Sequence, residues 1–272
     1  MPSEPTRLAP HPDWLRPDWR EGDVEAFMTT RAGGVSGADL PERAGLTSLN
    51  LGRSVGDDPA HVIENRLRVA AAIGGAPVFL KQVHGTTVLR LRPGHAHPDA
   101  DPEPADASIS TDPALACAVM VADCLPVLFA GPGVVGAAHA GWRGLSGGVL
   151  ESTVAAMSEA VDCAPSRIRA WMGACIGPEQ FEVGADVLAA FGAEPLHRDQ
   201  PLFRFQPNEQ GEPRWRADLY GLARQRLAAT GIADVSGGGW CTLGAPSRFF
   251  SFRHERVDGL RSGRMAAVIR LR

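Results

Sequence analysis

The sequence has no excess of positive charge. Its 27 lysines and arginines stand against 31 acidic residues, a formal net charge of −4, which leaves no electrostatic footprint for a nucleic-acid partner. It also lacks a membrane-length apolar run. The longest such stretch, Leu115 to Ala140, is interrupted by Asp123, Pro126, Pro132 and glycines, and reads as consecutive short strands. Met1 to Glu21 is rich in proline, tryptophan and charge, without the apolar core of a signal peptide. Five scattered cysteines (117, 124, 163, 175 and 241) are an odd number. Reduced thiols and a cytoplasmic location are therefore expected rather than a disulfide framework. There is no CxxC or HExxH spacing, internal repeat, heptad or low-complexity tract.

What is present points to an α+β (mixed α/β) fold. At 272 residues the chain can bury a substantial core. Residues 1–22 read as a loosely ordered arm and 23–272 as a single domain. Asp58-Pro59 opens a helix as N-cap and first helical residue, and Gly74-Gly75 stops it. Further helices are expected over 146–160, 183–191 and 219–230. Strands are expected over 24–30, 77–83, 87–91, 168–172, 235–239, 249–253 and 266–271, with a meander from Ala114 to His139. Strands often run consecutively, which favours mixed sheets over a strict βαβ repeat. His95 and His97 fall in a Pro- and Asp-rich surface loop and read as solvated.

The meander carries the chemistry. Apolar runs Val127–Ala130 and Val134–Ala138 flank Gly131-Pro132-Gly133, the outline of a β-hairpin. If Ala130 faces Gly133 or Phe129 faces Val134, the register places Cys124 opposite His139, with Cβ atoms ~5 Å apart. Such a thiol and imidazole can ligate one metal or form a nucleophile–base pair. A catalytic zinc site needs three protein ligands and an open position. His84, at a strand end beside Gly85, is the best-placed third ligand. Spacing alone does not decide between these chemistries.

Three blocks, Lys81–Gly85, Ala122–Pro126 and Ala137–Gly144, resemble the bacterial laccase-domain family (YfiH-type). Its members are variously called polyphenol oxidase, purine nucleoside phosphorylase and peptidoglycan editing factor. The likeness extends through Thr30–Ser36, Ser48–Gly52, Val55–Asp57 and Asn65-Arg66, then Ile176–Pro178, Phe181–Gly184, Cys241-Thr242, Phe249–Arg253 and Ser262–Ala266. It implies one domain of mixed β-sheets sandwiched between helices, and zinc on His84, Cys124 and His139. His254 stands where the family commonly has a second arginine, and Glu255-Arg256-Val257 lengthens the turn before Gly259.

By resemblance the chain phosphorolyses adenosine, inosine and methylthioadenosine and deaminates adenosine. Its partners would be a purine nucleoside and phosphate, with neither nucleic acid nor membrane. Arg143, read as lying just before a helix N-terminus, suits phosphate, with Arg31 and Arg66 as converging cations. Asn50 and Glu182 complete the candidate substrate set. Asp123, Glu182 and Asp106 are the candidate proton carriers, Asp106 also reading as a turn former. A second class is a Cys124–His139 hydrolase that removes wrongly incorporated serine from a peptidoglycan precursor. A copper polyphenol oxidase ranks below both, because multicopper centres need more histidines than this chain can gather. A binding protein with a closed zinc site is the non-enzymatic alternative.

Overall fold

The computed structural model describes residues 8–19, 22–37, 45–97, 103–254 and 261–272. In chain order the first elements are β1 (Val24–Met28), α1 (Pro59–Ile73), β2 (Ala76–Phe79), β3 (Val88–Arg90) and β4 (Ala107–Ser110). Then come β5 (Leu115–Val121), β6 (Leu125–Gly131), β7 (Val134–Ala140), α2 (Trp142–Gly147), α3 (Val149–Val161) and β8 (Arg169–Met172). The chain closes with β9 (Glu182–Val183), α4 (Ala185–Ala190), β10 (Phe203–Phe205), β11 (Trp215–Ala217), α5 (Leu219–Ala229), β12 (Val235–Gly237) and β13 (Met265–Leu271).

Two mixed sheets stack face to face. One runs β1-β13-β5-β2 and the other β12-β8-β6-β7-β4-β3, while β10-β11-β9 forms a small antiparallel sheet. Strand alternation builds the layers. On β5, Ala116 and Ala118 join α1 residues Val69, Ala72 and Ile73 on the outer side. Cys117 and Val119 point the other way, to Leu128 and Ala130 of β6 and Val135 and Ala137 of β7. The opposite parity of β6 and β7, including Val127, Phe129 and Ala138, packs on α3 and α5 through Leu150, Met157 and Leu227. The order is therefore helix, sheet, sheet, helices, which is the sandwich that the resemblance implies.

Local signals predict α1 well. Asp58 accepts a hydrogen bond from the Ala60 N–H at 2.8 Å, Pro59 is the first helical residue, and left-handed Gly74 ends the helix. Other expectations need correction. The meander is two sheets: β5 pairs with β13 and β2, and the chain changes sheet at Ala122-Asp123-Cys124 before β6. The helix expected over 146–160 is α2 and α3, separated at left-handed Gly148. That expected over 183–191 starts after the short strand β9. Residues 249–253 form no strand, because Ser251 Oγ and the Arg253 N–H are committed to the Asp123 carboxylate.

The hairpin register is shifted by two residues. Gly131 pairs with Val134 and Pro126 with His139, so the loop is Pro132-Gly133. Proline presets the first central turn position, and Gly133, at φ 70°, takes the left-handed second one. Cys124 and His139 keep the same parity and so the same face, on a diagonal.

Within the N-terminal arm, residues 1–7, 20 and 21 lie outside the described residues. Leu15 exchanges two backbone hydrogen bonds with Met28, at 2.9 and 2.8 Å. Trp14 and Leu15 are buried, which ties this part of the arm to the β1 edge.

Candidate metal centre

The site lies at one end of the seam between the two large sheets. His139, near the end of β7, has the parity of Val135 and Ala137 and is buried. Cys124 occupies the bend before β6 and keeps partial solvent access, whereas His84 is exposed on the bend after β2. One donor atom from each of the three lies within 4.8 Å of the others, a group that could hold a metal ion. Cys124 Sγ is 3.9 Å from His84 Nε2. Two such ligands on tetrahedral zinc would sit about 3.6 Å apart, so little movement separates the two arrangements. Gly141 keeps the centre open: a Cβ there would stand 3.0 Å from both Cys124 Sγ and His84 Cδ2.

Asp106, immediately before β4, organises both histidines. Its fully buried carboxylate accepts the N–H groups of Val83 at 3.1 Å, His84 at 2.9 Å and Gly85 at 2.6 Å. That grip holds His84 at φ 62°. Asp106 Oδ1 also lies 2.8 Å from His139 Nδ1. A proton on Nδ1 leaves Nε2 as the lone-pair donor, the carboxylate–histidine–metal arrangement. Burial opposes ionisation of Asp106, but the bonds from His139, Gly85 and Val83 outweigh it and lower its pKa.

Without metal, Cys124 and His139 polarise each other. Burial works against the thiolate, yet the charge and hydrogen bonding of His139, joined by His84, bring the thiol down to about 6. Burial likewise works against imidazolium, but Cys124 and Asp106 raise His139 to about 9.

Asp123 supports Cys124 from behind. At φ 87° it turns away from the donors, accepting Thr242 Oγ1 at 2.6 Å, Ser251 Oγ at 3.0 Å and the Arg253 N–H at 2.7 Å. Those bonds hold Phe252 at the mouth of a cavity of about 410 Å³. The three donors share its walls with Ser54, Lys81, Gln82, Met120, Phe252 and Arg264. Gln82 is locked by its amide, which pairs with Met120 N at 2.7 Å and Met120 O at 2.8 Å.

The candidate substrate residues are not among those walls. Arg31 donates to the Thr47 and Pro246 carbonyls, both at 2.6 Å. Arg66 donates to Leu51 O and stacks on Phe79, 4.1 Å from its centroid. Arg143 is exposed over Trp142, and the helix begins at Trp142, so Arg143 lies inside its first turn. Glu182 pairs with Arg216 at 2.6 Å. Buried Asn50 acts at one remove: its Oδ1 accepts the Arg264 backbone N–H at 2.9 Å. His95 pairs with Glu103 at 3.2 Å, and Glu255-Arg256-Val257 lies outside the described residues. Sequence reasoning missed Lys81, Phe252 and Arg264 as cavity walls, although each falls inside a block that carried the resemblance.

Comparison with known proteins agrees with this architecture. A family model described as multi-copper polyphenol oxidoreductase laccase matches residues 25–272. The purine nucleoside phosphorylase YfiH of Escherichia coli strain K12 is 44% identical over 262 residues, 95% of this chain and 96% of that one. A purine nucleoside phosphorylase of Pseudomonas aeruginosa is 43% identical over 259 residues, 94% and 97% of the two chains. The crystal structure of a Neisseria meningitidis protein superposes with a TM-score of 0.79 at 41% identity, covering 95% of this chain and 99% of its own.

Proposed function

The chain belongs to the family described as multi-copper polyphenol oxidoreductase laccase, and on that premise we propose that it is a zinc-dependent purine nucleoside phosphorylase. What carries this reading is the convergence of His84, Cys124 and His139 on one point at the wall of a ligand-sized cavity. Relatives that match almost end to end bear the phosphorylase name. Two imidazoles and a thiolate suit zinc. Among the described residues they are the only such group of three or more potential donors, whereas a laccase-type oxidase needs several histidine-rich copper sites.

The proposed substrates are adenosine, inosine and methylthioadenosine. In phosphorolysis a phosphate oxygen bonds to the anomeric carbon as the glycosidic C–N bond breaks. The base leaves with the bonding pair and receives the proton that the phosphate hydroxyl gives up. When bound, zinc supplies a Lewis-acid centre and lowers the pKa of a coordinated water. Asp106 keeps His139 in one tautomer and His84 in one backbone conformation, so the donors are preorganised. Both Asp106 and Asp123 are saturated with internal hydrogen bonds, which argues against either as proton carrier. We extend the proposal to adenosine deamination, in which a water oxygen bonds to the ring carbon that carries the exocyclic amine. The C–N bond to that amine breaks, and it leaves as ammonia with a proton from the water.

The purified protein should contain one zinc per chain and release free base from these nucleosides only when phosphate is present. His84→Ala, Cys124→Ala and His139→Ala should each lose the metal and turnover while keeping the folded circular-dichroism spectrum. Full zinc occupancy and activity in any of the three would remove the ligand assignment.

One observation favours a second reading. Asp106, His139 and Cys124 line up as orienting acid, base and lowered-pKa thiol, the arrangement of a cysteine hydrolase. Its proposed task is removal of misincorporated serine from a peptidoglycan precursor. Activity that survives chelation and is lost on thiol alkylation selects this reading; activity lost with the metal selects the first.

A further inference from the structure

Purine nucleoside phosphorolysis needs a place for an oxyanion, and the arginines that the sequence offered for it are tied elsewhere. Arg31 and Arg66 spend their guanidinium groups on distant backbone carbonyls. The cavity beside the three donors has its own cations, Lys81 and Arg264, and among the described residues no aspartate or glutamate lines it. We infer that Lys81 and Arg264 form the subsite for a phosphoryl oxyanion, which they hold beside the metal-ligating group.

Both residues are fixed at the backbone. Lys81 donates its N–H to Glu103 O and accepts from the Ala105 N–H, each at 3.2 Å. Its side chain is exposed and makes no ion pair among the described residues. Arg264 is anchored through its N–H on Asn50, and its NH1 donates to the carbonyls of Ser262 at 2.9 Å and Gly263 at 3.0 Å. That grip fixes where its charge lies.

A concave surface lined by one sign of charge, with low-dielectric walls, concentrates the opposite ion. The same cavity also presents an aromatic face: Phe252 is 44% exposed, its ring 5.7 Å from the Arg264 guanidinium carbon. An aromatic face beside two cations matches a ligand with a flat ring and a phosphoryl group near it. The phosphoryl group can come from free phosphate or from a nucleotide. The first would be the co-substrate of the proposed reaction, so the inference rests on that reading for its purpose but not for whether the anion binds.

Calorimetric titration of the full-length protein with inorganic phosphate, and separately with adenosine 5′-monophosphate, tests the subsite. Lys81→Met and Arg264→Gln should each weaken phosphate binding at least tenfold, with metal content and melting temperature unchanged for Lys81→Met. Arg167→Ala, which removes a positive charge from an exposed position outside the cavity, should change nothing. The KM for phosphate should rise with the dissociation constant, and the nucleoside KM should stay within about twofold in Lys81→Met. A tenfold loss for phosphate alone identifies free phosphate as the occupant. An equal loss for the monophosphate, bound more tightly by wild type, identifies a nucleotide; either supports the subsite. Phosphate binding within twofold of wild type in Lys81→Met overturns it. If wild type cleaves no nucleoside yet binds phosphate through Lys81, the phosphorylase reading falls and the subsite stands. If phosphorolysis proceeds with an unchanged phosphate KM in Lys81→Met, the reverse holds.

Discussion

Two aspartates hold the site from opposite sides, and they hold different things. Asp106 grips two of the three potential metal donors: three consecutive N–H groups around His84, and the ring of His139. Asp123 grips what touches the substrate space: Thr242, Ser251 and Arg253, whose segment carries Phe252 to the cavity. Each serves a tight corner with a non-glycine residue in the left-handed region, His84 in one and Asp123 itself in the other. A side chain that accepts three or more hydrogen bonds can sustain such a corner. The same residue type thus serves as electrostatic scaffold for the donors in one corner and as a tether for a distant segment in the other.

The largest effect should come from Asp106→Ala. It orphans three backbone donors and releases His139, at a cost of about 3 kcal/mol or more in stability. Metal affinity should fall about 10- to 100-fold, read by zinc retention during dialysis against a graded chelator series. Asp123→Ala should cost about 2 kcal/mol and leave zinc retention near wild type. Its signature is kinetic: the nucleoside KM rises about tenfold as Phe252 loses its tether, while the phosphate KM changes little. If Asp123→Ala lost zinc as readily as Asp106→Ala, the division of labour between the corners would be wrong.

Acid titration sharpens the contrast. The Asp106 pKa is lower in the folded chain than in the unfolded one, because its hydrogen bonds outweigh burial. The unfolded chain therefore takes up the proton first as pH falls. The stabilisation is complete above about pH 4, the ordinary aspartate value, and fades as pH drops through the lower folded value. In urea melts, the stability gap between wild type and Asp106→Asn should be widest at neutral pH and narrow below about pH 4. A gap that stays constant down to pH 2 would mean that Asp106 does not ionise differently on folding.

How much of this could be read from sequence depends on how local each determinant is. The α1 boundaries were legible because Asp58, Pro59 and Gly74 act within one turn of where they stand. The sheet assignment of β5 was not, since β5 and β6 are apolar on both faces. Alternation gives no sign that one strand belongs to each sheet. The hairpin and the strand end single out Cys124, His139 and His84 as candidates, with the correct face and the wrong register, and the resemblance is what weights them as metal ligands. The placement of Arg31 and Arg66 was not legible, because their partners, the carbonyls of Thr47, Pro246 and Leu51, are set by tertiary folding. Asp106 was noticed only as a turn former or proton carrier, since a lone aspartate carries no mark of the four groups that will converge on it.

The smallest effect lies at the far end of the hairpin and provides the reference for both corners. Gly133 is at φ 70°, and a Cβ there would meet nothing within 4 Å. Gly133→Ala therefore isolates the backbone cost of a left-handed L-residue, about 1 kcal/mol. For a chain of this size that is a fall in melting temperature of about 2–4 °C. Gly131 and Val134 remain the last ladder pair, so Cys124 and His139 should keep their diagonal. Zinc retention and both KM values should stay within about twofold of wild type. The two corners can then be compared against a variant in which a smaller loss of global stability elsewhere leaves the chemistry in place. Loss of zinc from Gly133→Ala would mean that the diagonal depends on the whole hairpin register, and Asp106 would no longer be its principal anchor.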